Sequence, residues 1–122
     1  MNSLIGVWLF VATIYQGNEA PRPNPDLQLR FIFQSASKNE VFYYRTGNRG
    51  FCRRWANYRV EDNFLIQEVV ETDPNNDSSC GADPDMQLGI VSKTPFELKD
   101  GKFFLDLPLG EEGIRYIFDR EQ

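Results

Sequence analysis

The chain of 122 residues contains no histidine. Histidine is the usual general base and a common zinc or copper ligand, so its absence removes Ser-His-Asp and Cys-His catalysis and most metal sites. The remaining acid–base candidates are carboxylates such as Glu68, Glu71 and Asp106, and no motif brings two of them to a glycosidase separation. The sequence therefore predicts a protein that is not an enzyme and that uses no metal or cofactor.

Positive charge is also scarce, with 13 Lys and Arg against 18 Asp and Glu and a net charge of −5. An acidic chain disfavours nucleic acid as a partner. Long hydrophobic runs are missing too, because the longest, residues 4–14, is too short to cross a bilayer as a helix. That run lacks the basic flank of a signal peptide and is interpreted as a strand. Because the sequence begins Met-Asn-Ser directly before this strand, as a mature domain with an added start methionine would, we expect a leader or lipid anchor to have preceded the domain in its precursor.

Helical patterning is nearly absent, whereas apolar and polar residues alternate with period two along most of the chain. This alternation predicts one all-β domain over residues 1–122 with about nine strands. The predicted strands are residues 5–16, 26–35, 39–45, 51–60, 63–72, 86–93, 95–99, 102–107 and 113–119. Two long loops, 17–25 and 73–85, and short turns at 46–50, 61–62, 100–101 and 109–112 separate them.

The short turns favour a single antiparallel up-and-down barrel, because each strand then neighbours the next and closure removes the sheet edges. A two-sheet sandwich remains the second choice, since the loops at 17–25 and 73–85 are long enough for crossovers.

The only two cysteines are Cys52 and Cys80, which either pair or remain ordinary buried thiols. An antiparallel return of strand 63–72 brings its end back beside Cys52, and the loop at 73–85 then carries Cys80 within reach. We therefore predict a disulfide, and with it export to the periplasm, the cell envelope or the exterior.

Three segments carry a family resemblance: LIGVW at residues 4–8, YRVEDNFLI at 58–66 and YIFDR at 116–120. They resemble the first strand, a central hairpin and the last strand of small bacterial lipocalin-like domains. The resemblance implies a barrel of about 8–10 strands. It also implies that Gly6 allows close strand approach, that Trp8 plugs one end, and that Arg120, or alternatively Arg115, packs over Trp8.

A segment rich in arginine and aromatic residues, 43–59, is the most distinctive candidate site. Arg53 and Trp55 share one face of a strand, where they would hold an anionic or aromatic ligand if that face is concave. The alternative is an outer face whose arginines pair with Asp and Glu. Glu68 shares the apolar face of Phe64 and Ile66, so it is a candidate for an inward-pointing carboxylate.

The sequence thus favours a binding protein that holds a small hydrophobic or amphipathic ligand, which can be anionic, in or at the mouth of the barrel. Its interior would be lined by Phe31, Phe33, Tyr43, Trp55 and Phe103. The alternative is an envelope or secreted protein, structural or binding a protein partner, whose barrel is filled by its own aromatic side chains.

Overall fold

A computed structural model describes residues 4–22, 24–108 and 113–121. Its strands are β1 (Gly6–Tyr15), β2 (Asn18–Pro21), β3 (Leu27–Phe33), β4 (Lys38–Arg45), β5 (Phe51–Glu61), β6 (Phe64–Thr72), β7 (Val91–Lys99), β8 (Lys102–Leu107) and β9 (Ile114–Arg120). Two short 3-10 turns, Ser78–Ala82 and Pro84–Met86, lie between β6 and β7. We call residues 73–90, which contain both turns, the cap segment.

The strands form one closed antiparallel barrel. From β3 to β9 each strand pairs with the next, β3 also pairs with β1, and β9 closes the ring against β1. Eight strands make up the ring, while β2 lies beside the second half of β1. The predicted single barrel is therefore confirmed, and the sandwich alternative is wrong.

The loop predicted at residues 17–25 is partly wrong, because β2 pairs there with Ala12–Tyr15 of β1. The two strands predicted at 86–93 and 95–99 are also wrong, since β7 runs unbroken through Pro95. Its pairing changes from β6 to β8 between Pro95 and Phe96, so the missing N–H of proline lies where one ladder ends. The Asp100–Gly101 turn has positive φ at both residues, as a tight hairpin requires. The turn predicted at 109–112 lies outside the described residues.

The two ends of the barrel differ. The lower end holds the start of β1 and the end of β9, where the buried Trp8 lies. The upper end is covered by the cap segment, which buries Cys80 and Met86 against the core. In the described part of the chain, no helix is both long and apolar enough to span a membrane.

Aromatic rings fill the lower half of the interior. Phe103, fully buried, has ring contacts with Trp8, Phe31, Phe33, Phe96 and Phe118 at centroid distances of 5.3–6.1 Å. All five of these pairs are tilted or edge-to-face, as aromatic quadrupoles favour. The barrel is therefore packed here by its own side chains, as small barrels often are.

Candidate functional site

The lower end is held by contacts between β1 and β9. The Arg120 guanidinium lies 4.3 Å from the Trp8 ring centroid and donates a 2.7 Å hydrogen bond to the carbonyl of Ile5. Trp8, which is 1% exposed, donates its indole N–H to the carbonyl of Leu4 at 2.9 Å. Gly6 has φ +137, and a Cβ there would lie 2.5 Å from Nη1 of Arg120. Only glycine fits between the strand and the arginine without displacing one of them.

A polar cluster lies inside the barrel, on the inner face of β4, β5 and β6. Arg54 donates from Nη1 to Oδ1 of Asn39 at 2.6 Å and from Nη2 to Oε1 of Gln67 at 3.0 Å. Asn39 also donates to Gln67 at 2.9 Å, and all three side chains are buried. The Arg54 guanidinium has a cation–π contact with Phe31 at 5.6 Å. Burial lowers the pKa of Arg54 to about 10, so the side chain remains charged at neutral pH.

The structure places Arg53 and Trp55 on the outer face of β5, not on a concave inner surface. Arg53 pairs with Glu40 at 3.1 Å and with Asp73 at 3.3 Å, and it lies over the Phe42 ring at 4.6 Å. Trp55 donates its indole N–H to Glu40 at 3.2 Å. The prediction that Trp55 lines the interior is wrong, because the strand alternation turns the even-numbered residues of β5 inward.

The other predicted residues divide into three groups. Phe31, Phe33 and Phe103 do face the interior, where they pack against one another. Tyr43 lies at the upper end, where its hydroxyl donates to Asp83 of the cap segment at 2.6 Å. Glu68 is exposed, so its predicted inward orientation is wrong: the buried Gln67 beside it takes the inner position on β6.

A pocket opens at the mouth of the barrel, between the β4–β5 hairpin and the cap segment, with a volume of about 350 Å³. It is lined by Tyr43, Tyr44, Arg45, Asn48, Arg49, Gly50, Phe51, Cys52, Asp77 and Ser79. We call this the mouth pocket. Its lining combines two cations, three aromatic rings and one carboxylate.

The mouth pocket has two arginines and one carboxylate in its lining. Arg45 pairs with Asp26 at 3.5 Å, whereas none of the ion pairs among the described residues includes Arg49. Asp77 accepts hydrogen bonds from the backbone and hydroxyl of Ser79, which lower its pKa. A Cβ at Gly50 would lie 2.8 Å from Asp77, so glycine lets the cap segment approach the hairpin closely.

The cap segment is fixed to β5 at several points. Cys52 and Cys80 form a disulfide with Cα atoms 5.7 Å apart, which confirms the predicted bond. Asn76 exchanges side-chain hydrogen bonds with both backbone groups of Arg53, at 2.8 and 3.0 Å. These contacts build one wall of the mouth pocket.

Sequence reasoning missed Arg54, Asn39 and Gln67 as an interior cluster. The signal available in the sequence was the alternation of side chains along β5. Arg54 shares a face with Cys52 and Tyr58, and only one of the neighbours Arg53 and Arg54 can point inward. Within the described residues no group of three or more acidic, cysteine or histidine side chains is placed to hold a metal ion.

Comparisons with known proteins show the fold alone. The sequence matches no family of proteins and no curated protein. The structure is similar to that of a lipocalin-like protein from Bacteroides uniformis, with 16% identity and a TM-score of 0.63 over 97% of this chain and 98% of that one. It is also similar to an uncharacterized protein from Bacteroides eggerthii, with 16% identity and a TM-score of 0.58 over 98% and 100% of the two chains. The chain therefore has a lipocalin-like barrel fold, as its first strand and short turns predicted.

Proposed function

We propose that this protein is a binding protein that holds a small amphipathic anion at the mouth of its barrel. The mouth pocket carries the proposal, since it joins Arg45 and Arg49 to the rings of Tyr44 and Phe51 in a space of about 350 Å³. That volume lies in the range of small-molecule sites. Its lining of arginines and aromatic rings is suited to binding, which is the role we propose.

The filled interior supports a ligand at the mouth instead of the barrel centre. Phe33, Phe103 and Phe118 are each 1% exposed or less, and their rings occupy the space that an enclosed ligand would need. The mouth pocket, by contrast, is open to solvent between the hairpin and the cap segment.

The ligand chemistry follows from the lining. A guanidinium without a partner recognises carboxylate, sulfonate or phosphate through charge-assisted hydrogen bonds, and a tyrosine or phenylalanine face stacks on a flat apolar group. Arg49 is the anchor in this proposal, and Tyr44 and Phe51 are the apolar contacts.

We further propose that the protein works outside the cytoplasm. Disulfides persist in oxidising compartments such as the periplasm and the cell exterior, and this one fixes the wall of the mouth pocket.

The test is binding of an anionic fluorophore, anilinonaphthalene sulfonate, to wild type and to Arg49→Ala. Loss of a charge-assisted hydrogen bond is expected to weaken binding by about tenfold or more. Arg59→Ala is the matched control, because Arg59 is an exposed arginine at the lower end that pairs with Glu61, and we expect the affinity of this variant to equal that of wild type. Equal affinities for all three proteins would contradict the mouth site.

A second candidate function is protein–protein interaction without a small ligand. The packed interior favours it, and so do Leu88 and Val91, which are 68% and 64% exposed and lie three residues apart in the chain where the cap segment leads into β7. Native mass spectrometry that finds no carried ligand, together with an unaffected Arg49→Ala variant, would favour this candidate.

A further inference from the structure

The lining of the mouth pocket contains opposite charges that do not pair with each other. Arg49 and Asp77 both line the pocket. None of the ion pairs among the described residues includes either of them. Electrostatic complementarity therefore favours a ligand that brings an anionic group to Arg49 and a cationic group to Asp77.

The carboxylate of Asp77 is fixed at the wall of the mouth pocket. Its backbone N–H donates to the carbonyl of Phe51 at 3.0 Å, and a Cβ at Gly50 would lie 2.8 Å from its side chain. Its Oδ2 accepts hydrogen bonds from the backbone N–H and the hydroxyl of Ser79, which lower the pKa of the carboxyl group and keep it ionised. No hydrogen bond of the described residues ends on Oδ1, so this oxygen is the one that remains for a ligand.

Two aromatic rings of the mouth pocket lie close to both charges in the chain. Tyr44 and Phe51 are partners across the β4–β5 hairpin, and Arg49 lies in the turn between them. The carbonyl of Phe51 holds the backbone of Asp77, as described above. A flat apolar group that stacks on one of these rings is therefore in the same pocket as a guanidinium of the hairpin and a carboxylate of the cap segment.

We propose that the ligand of the mouth pocket carries a protonated amine in addition to its anionic group. The anionic group binds Arg49, the amine donates to Oδ1 of Asp77, and a flat apolar part stacks on Tyr44 or Phe51. Zwitterionic aromatic molecules of about the size of an amino acid are thus the ligand class. The amine site rests on the proposed function, because the anionic group of the same ligand binds in the mouth pocket.

The experiment uses calorimetric titration of three compounds that share an indole ring. Tryptophan has both charges, indole-3-propionate lacks the amine, and tryptamine lacks the carboxylate. Each compound is titrated into wild type and Asp77→Asn, in which asparagine keeps an oxygen for capping Ser79 but removes the charge. We expect the substitution to weaken binding of tryptophan by about fivefold, since a charge-assisted contact is lost at an exposed position. Binding of indole-3-propionate should not weaken.

Asp62→Asn is the matched control for the loss of one negative charge. Asp62 lies in the β5–β6 turn at the lower end of the barrel, and asparagine tolerates its φ of 54. We expect tryptophan to bind this variant as tightly as it binds wild type. Equal weakening by Asp62→Asn and Asp77→Asn would mean that net charge acts at long range, and it would overturn the amine site.

The comparison of ligands in wild type keeps the amine site testable even if Asp77→Asn does not fold. Tryptophan should bind wild type more tightly than either indole-3-propionate or tryptamine, because each of these lacks one charged contact. If indole-3-propionate binds as tightly as tryptophan or more tightly, the amine site is wrong while the proposed function stands. The same holds if anilinonaphthalene sulfonate binds and tryptophan does not. If none of the three anionic compounds binds, the proposed function is wrong as well.

Discussion

At the scale of single residues, the lower end of the barrel depends on one glycine. Gly6 combines a positive φ with the close approach of Arg120, so a side chain there meets both backbone strain and a steric clash. Arg120 in turn covers Trp8, the residue that closes this end of the core. The three residues therefore stabilise the barrel closure between β1 and β9 as a unit.

Gly6→Ala should lower the free energy of unfolding by about 1–3 kcal/mol, the usual range for local backbone strain and overpacking. Denaturant unfolding followed by Trp fluorescence measures it. Gly81→Ala is the matched control, since a Cβ at Gly81 meets no atom within 4 Å. Equal stability of the two variants would show that the contact between Gly6 and Arg120 carries no strain.

Tyr43 makes stability depend on pH in the alkaline range. Burial, and then the hydrogen bond to Asp83, raise the pKa of this phenol above its ordinary value of 10.0. The folded state thus keeps a proton that the unfolded state loses, so this stabilisation is present below about pH 10 and is lost as the pH rises further. The contribution of Arg54 to the pH dependence of stability has the opposite sign, because burial lowers the pKa of its guanidinium in the folded state.

Tyr43→Phe removes the contribution of Tyr43 to the pH dependence of stability and leaves the contribution of Arg54. We expect the unfolding free energy of the variant to fall less steeply than that of wild type between about pH 10 and pH 12. Urea unfolding at a series of pH values measures both slopes. Parallel curves would mean that Tyr43 titrates alike in the folded and unfolded chains.

Orientation along a strand explains which site residues the sequence could predict. Phe31, Phe33 and Phe103 belong to regular alternating strands, so their inward orientation was predictable. On β5, Arg53 lies on one face and Arg54 on the other, so the arginines do not distinguish the inner face from the outer one. The aromatic side chain of Trp55 then favoured the wrong face as the inner one. The ion pairs of Arg53 with Glu40 and Asp73 hold this side chain on the outer face. They join residues far apart in the sequence, so the local pattern does not reveal them.

At the scale of elements, the cap segment contains two short 3-10 turns and no strand, and a disulfide ties it to β5. The disulfide closes a loop with a sequence separation of 28 residues. Chain-entropy arguments assign such a loop about 3.5 kcal/mol of stabilisation.

The double variant Cys52→Ala, Cys80→Ala should therefore unfold with a free energy lower by about 3.5 kcal/mol than that of wild type. Thermal or denaturant unfolding measures the difference. It should also lose affinity for anilinonaphthalene sulfonate, because the wall of the mouth pocket is no longer fixed. A variant with unchanged stability and affinity would show that the noncovalent contacts of the cap segment suffice.

The element boundaries show where period-two patterns stop being informative. β2 is a short, wholly exposed strand, so burial does not impose a pattern on its residues. β7 changes its pairing partner at Pro95, which locally resembles a strand end although the backbone continues. The order of the ring, in contrast, followed from short turns, since consecutive antiparallel strands pair with each other.

At the scale of the whole molecule, the barrel divides into a packed half and a polar, accessible half. Aromatic rings fill the lower interior, the Arg54 cluster lies beside Phe31 of that core, and the cap segment and mouth pocket lie at the upper end. Stability thus resides mainly in the closure of the ring and its aromatic core. In our proposal, binding belongs to the upper end, where arginines and aromatic rings border solvent.

The measurement that tests this division most directly is amide chemical-shift mapping during titration of the wild-type protein with anilinonaphthalene sulfonate. The account predicts that the largest shifts fall on residues 44–51 and 77–79 around the mouth pocket, while the residues of β8 around Phe103 stay unchanged. Largest shifts on the interior-facing residues of β3 and β8 would place the ligand inside the barrel and would contradict the account.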